Sequence, residues 1–171
     1  MRAIVACFGN VLRGDDGVGA AVAAALRAEP LPAGARVLDV GIGGIHLVQE
    51  LLTGVDVLLV VDTVDLGRPA GTVVVQRPTV RDVTTLSVHE RRDELADMHL
   101  ASPERALMVA RGLGVLPPVT WIVGVQSTDT AEPRHGLSEP ARRAVPVAAR
   151  EVRRLLTTEA AGWVPARPDE A

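Results

Sequence analysis

A chain of 171 residues that is 47% hydrophobic can bury one sizeable core, and it reads as a single domain over 1–156 with a flexible tail over 157–171. One Phe, two Trp and no Tyr make that core aliphatic and remove the stacking platforms that single-stranded nucleic acid requires. A net charge of -3 gives no attraction for DNA, RNA or anionic lipid.

The apolar run Ala3–Phe8 predicts a strand buried on both faces, and Gly9, Asn10 and Gly14 punctuate the loop behind it. Asp15 and Asp16 interrupt the leading apolar stretch too early for a secretory leader. They stand where a helix over Val18–Leu26 should begin. A strand over Arg36–Val40, a turn at Gly41, Gly43 and Gly44, and a helix over Ile45–Leu52 follow. Val57–Val61 is the strongest strand signal. The run Val55–Val64 around it carries two Asp and is too short to span a bilayer. Thr72–Gln76 reads as a short strand, and Thr79–Met98 as an irregular excursion. Ser102-Pro103-Glu104 is a helix start built from a capping hydroxyl, a first-turn proline and an acid. Val119–Val125 is a further strand. The last helix is expected from about Ser138 to Leu156, with Pro146 predicting a kink or a restart.

Strands alternating with helices imply a three-layer αβα sandwich around a mainly parallel sheet of about five strands. In such folds functional groups gather outside the carboxyl ends of the strands. Asp16 follows the first strand, Asp39 ends the second, Asp62 ends the third, and His99 leads into the Ser102 helix. Carboxylate oxygen with imidazole nitrogen suits a borderline divalent cation such as nickel or zinc. Bland readings stand beside these. By spacing alone Asp15 and Asp16 serve equally as helix caps, and Asp65 is an ordinary turn residue. Asp39 can simply bond the glycine loop after it, and a lone histidine is more often structural. Asp62 resists dismissal, because an ionised carboxylate among apolar neighbours is costly unless partnered. His89-Glu90 lacks the second histidine of a zinc-protease helix, and GNVLRGDD lacks the Lys and Ser/Thr of a phosphate loop. No serine elbow exists. Cys7 has no disulfide partner, which fits a reducing compartment, and its buried position argues against a nucleophile.

Five segments in order resemble the blocks of the hydrogenase maturation proteases. They are GNVLRGDDGVG (Gly9–Gly19), DVGIGGIHLVQEL (Asp39–Leu51), VLLVVDTVDLGRPAGTV (Val57–Val73), DMHLASPERALMVARGLG (Asp97–Gly114), and the pair WIVGVQ and HGLSEPARRAVP. The resemblance implies a phosphorylase/hydrolase-like fold and a cytoplasmic, monomeric endopeptidase. Such an enzyme removes a C-terminal extension from a nickel–iron hydrogenase large-subunit precursor after nickel insertion. Nickel carried by that precursor serves as the recognition element, with no cofactor bound otherwise. Carried over by position, the metal-contacting residues are Asp16, Asp62 and His99, with His89 the rival to His99. Asp16 is the candidate proton acceptor, and Asp39, Gly41 and Gly43 are expected to contact substrate. Ile42, Leu100 and Ala101 depart from the family pattern, which bears on the substrate subgroup. A noncatalytic metal-dependent chaperone and a nucleotide-binding regulatory module are the alternatives.

Overall fold

The computed structural model describes residues 1–87, 89, 102–127 and 133–162. Strands β1 (Ala3–Phe8), β2 (Ala35–Gly41), β3 (Val57–Val64), β4 (Val73–Gln76) and β5 (Val119–Gln126) form one sheet in the order β2-β1-β3-β5-β4. All pairings are parallel except that of β4 with β5. The α-helices bounded within the described residues are α1 (Val18–Arg27), α2 (Gly44–Leu51), α3 (Pro103–Gly112) and α4 (Glu139–Gly162). The expected αβα sandwich with a mainly parallel five-stranded sheet is what the chain adopts.

Strand alternation sorts the core into two layers. Val5, Cys7, Leu59 and Val61 pack with α1 and α4, whereas Ile4, Ala6, Phe8, Leu58 and Val60 pack with α2 and α3. Both faces of β1 and β3 are thus covered, which explains their unbroken apolar runs. The chain leaves β1 toward β2 on one side and later fills β3 on the other. The strand order therefore reverses between β1 and β3, and in open α/β sheets the carboxyl ends at such a reversal are where a crevice receives ligands.

The sequence reading is corrected at α4. The helix neither stops nor restarts at Pro146, and it runs six residues past Leu156 to Gly162. Pro146 lies on the exposed side, where water can satisfy the carbonyl it releases. The added turns are held in part by Trp121, whose Nε1 donates to Glu159 at 2.9 Å. The segment expected to be a tail from Thr157 is helical through Gly162, and 163–171 lie outside the described residues. Of the expected Thr79–Met98 excursion, residues 79–87 and 89 are described, and Val83–Thr85 forms one 3-10 turn there.

Candidate active site

The loop after β1 folds back tightly over the strand ends. Gly9 adopts φ 125°, and a Cβ there would lie 1.8 Å from the Asp16 carbonyl oxygen. Only glycine permits that approach. A 3-10 turn, Gly14–Gly17, then feeds α1 and carries both acids.

The two adjacent carboxylates point to different tasks. Asp15 is buried, at 1% exposure. Its oxygens accept from the Ser138 backbone N–H at 2.7 Å and the Ser138 Oγ at 2.9 Å, with Arg134 at 3.8 Å. Ser138 Oγ in turn accepts from the Ala141 N–H at 3.3 Å, so it caps α4 while bound to Asp15. Gly14 donates to the Arg134 carbonyl at 2.7 Å, and Arg134 donates to that of Leu12 at 3.0 Å. The loop is thereby clasped to the start of the last helix. Asp15 does act in capping, as one reading of the sequence allowed, but for a helix 123 residues away.

Asp16 is half-buried and faces the crevice. Its carboxylate accepts from the Asn10 N–H at 2.9 Å and lies 3.4 Å from Thr63 Oγ1. Asp62, at the end of the buried run of β3, accepts from the Thr63 N–H at 2.7 Å. Burial pushes its carboxyl up to about 7; bonds from Thr63 act against this, and the nearby charge of Asp16 adds to the rise. The strand ends thus bring Asp16 and Asp62 to one place, joined through Thr63. A carboxylate whose ionisation is disfavoured by burial and by a second acid beside it is a site that a cation would relieve.

Neighbouring elements hold these groups still. Buried Gln126 accepts from the backbone of Leu66 at 2.8 Å and Arg68 at 3.3 Å, and donates to Asp65 at 3.2 Å. That fixes the turn behind Asp62 and makes Asp65 the turn residue expected. The Gly9 N–H donates to the Gly41 carbonyl at 3.0 Å, joining the loops after β1 and β2.

Comparison with known proteins gives a consistent picture. Residues 20–155 match the family model described as hydrogenase maturation protease. The chain belongs to the hydrogenase maturation protease family. The hydrogenase expression/formation protein HupM of Azotobacter chroococcum mcd 1 is 31% identical over 140 residues, covering 79% of this chain. The chain spans 62% of the length of that relative. A hydrogenase 2 maturation peptidase from Thaumarchaeota archaeon SCGC_AB-539-E09 superposes with a TM-score of 0.64 and 29% identity, over 91% of this chain and 98% of that one. The hydrogenase maturating endopeptidase HybD from E. coli shares the fold, with a TM-score of 0.74 at 24% identity over 93% of this chain and 94% of that one.

In this member of the hydrogenase maturation protease family the matched region includes Asp62 and begins just after the loop that carries Asp16. His99 lies outside the described residues, whereas His89 is exposed. Among the described residues no three His, Cys, Asp or Glu side chains gather into a set that could hold a metal ion, so Asp16 and Asp62 stand as a pair. Asp39 is exposed at the end of β2 and lies in register with Cys7. Gly41, at φ 57°, joins the β1 and β2 loops, and Gly43 precedes α2 at its N-cap. Burial, with a smaller effect of Asp39, pushes the Cys7 thiol up to about 12, so it stays protonated and is a poor nucleophile. A groove of about 240 Å³ along β4, β5 and α3 is lined by Gln76, Val80, Glu104 and Leu107 among others, and it contains neither crevice carboxylate. No helix among the described residues is long and apolar enough to cross a membrane.

Sequence reasoning missed Thr63 and the pairing of Asp15 with Ser138. Ser138-Glu139-Pro140 is legible as a helix start. Nothing local, however, names the distant acid that binds it.

Proposed function

We propose that this chain is an endopeptidase that removes the C-terminal extension of a nickel–iron hydrogenase large-subunit precursor in the cytoplasm, acting as a monomer and reading nickel carried by the substrate. The observation that carries this reading is the placement of Asp16 and Asp62 together at the reversal point of the sheet, within a hydrogenase maturation protease fold. The two carboxylates, with His99 as a nitrogen donor, would contact the precursor's nickel. Docking of that dication favours the charged form of Asp62 and so releases its proton. The nickel polarises the neighbouring peptide carbonyl.

Asp16 accepts a proton from the attacking water. The water oxygen bonds to the carbonyl carbon, the C–N bond breaks, and the proton passes to the departing amine. Thr63 holds Asp62 in place, and Asn10 orients Asp16. Asp39 and the backbone at Gly41 and Gly43 would contact the extension.

The test is incubation of the purified protein with nickel-loaded and nickel-free precursor. Processing of the loaded form alone is expected; equal processing of both would remove the nickel-reading role. Binding without cleavage would instead identify a chaperone. In the same assay His99→Ala should abolish processing and His89→Ala should not, and the opposite result reassigns the nitrogen donor.

A further inference from the structure

Seven large apolar side chains among the described residues are well exposed. Five of them stand at the carboxyl end of the sheet: Val11, Leu12, Ile42 and Leu66 on the three adjacent loops that follow β1, β2 and β3, and Ile45 in the first turn of α2. Val11 and Leu12 are 56% and 54% exposed, Ile42 and Ile45 are 64% and 50%, and Leu66 is 46%. The Gly9–Gly41 backbone bond ties the first two loops together, and Gln126 pins the third at Leu66 itself. These side chains therefore sit on fixed backbone. The remaining two, Leu52 and Leu113, follow the C-terminal ends of α2 and α3 at the opposite end of the sheet.

Scattered exposed leucines need no explanation, but exposed aliphatic side chains concentrated at one end of a sheet point to an interaction site. These loops and the α2 start follow the same three strands whose carboxyl ends carry Asp16 and Asp62. We propose that Val11, Leu12, Ile42, Ile45 and Leu66 form an apolar docking collar for the hydrogenase large-subunit precursor, gripping an aliphatic face of that protein around its processing segment. The inference rests on the endopeptidase reading above, because a peptidase must meet its protein substrate at the rim of its own crevice. Continuity of the collar with the crevice singles out the substrate as occupant, since a second copy seated there would close the crevice. The aliphatic, largely uncharged character of the five side chains sets the partner's chemistry. Contact with the unchanging part of the precursor also contributes equally before and during the reaction, so it acts on KM and leaves kcat alone.

The experiment measures KM and kcat for processing of the nickel-loaded precursor of the source organism. Leu12→Glu, Ile42→Glu and Leu66→Glu place one charge on each loop, and Leu52→Glu and Leu113→Glu are matched controls at the far end. Each collar variant should raise KM about tenfold or more, with the loss confined to KM, and the controls should stay within twofold of wild type. Milder Leu12→Ser and Ile42→Ser variants, checked by thermal melt, cover any charged variant that fails to fold. Unchanged KM in the collar variants, or an equal rise in the controls, would overturn the collar. Precursor binding is measured in parallel by biolayer interferometry. Wild-type binding without cleavage would overturn the peptidase reading and leave the collar to be scored on binding alone. A wild type that dimerises, and that Ile42→Glu returns to monomer, would assign the patch to a second copy and overturn the proposal.

Discussion

Asp15 and Asp16 are neighbours in sequence and opposites in setting. Asp15 is sealed from solvent and spends both oxygens on Ser138, with an arginine behind it. Asp16 is half-exposed, makes one good backbone contact, and shares its crevice with Asp62, whose carboxyl is raised toward neutrality. Satisfied bonding marks the clasp as a device that holds the fold. Unspent bonding capacity and mutual repulsion mark the crevice as a place awaiting a cation.

Removing crevice groups should have the largest effect on processing. Asp62→Ala takes away one of the two carboxylates, and precursor cleavage should fall on the order of 10³-fold without loss of fold. A gel assay on nickel-loaded precursor reads this; cleavage within a few-fold of wild type would end the separation between clasp and crevice.

The clasp should break in stability instead. Asp15→Ala leaves the Ser138 N–H and the Arg134 charge without their buried acceptor. The expected cost is about 3 kcal/mol, or a fall in Tm of roughly 6–12 °C. Processing per folded molecule should survive. A melting temperature unchanged by the substitution would show that the clasp holds nothing.

A third effect is sharper because it carries a pH signature. The folded-state pKa of Asp62 lies at about 7, above its ordinary 3.8. A raised carboxyl is fully compatible with the fold when neutral, below about pH 4. It then penalises the fold progressively as pH rises through about 7. Asp62→Asn should therefore match wild type near pH 4 and be about 1–3 kcal/mol more stable at pH 8, while losing processing. Denaturant melts at the two pH values test it, and an Asn variant less stable at pH 8 would contradict the raised pKa. The smallest effect belongs far from both regions. Glu159→Ala loses the Trp121 bond and should cost about 0.5–1 kcal/mol with normal processing.

The sheet was legible because β1 and β3 are buried on both faces, which writes an unbroken apolar run into the sequence. The start of α3 was legible because its capping bond, donated by the Arg105 N–H to Ser102 Oγ, is local. The extent of α4 was not, since the turns beyond Leu156 are held in part by Trp121 on a distant strand. At the site, Asp62 announced itself as an acid ending an apolar strand. Asp15 and Asp16 did not separate, because their spacing is compatible with capping in either case and only the fold reveals which one meets Ser138. Thr63 gave no signal: its role comes from the meeting of the end of β3 with the turn that carries Asp16, 47 residues away in sequence.

The most direct test of the account is the processing rate of Asp16→Asn on nickel-loaded precursor, taken with its melting temperature. Asparagine keeps an oxygen for the Asn10 N–H and removes only the charge. The account predicts a loss of about 10²–10³-fold in rate, with Tm within about 1 °C of wild type. Processing at near wild-type rate, or a rate that falls only as far as the fold does, would contradict it.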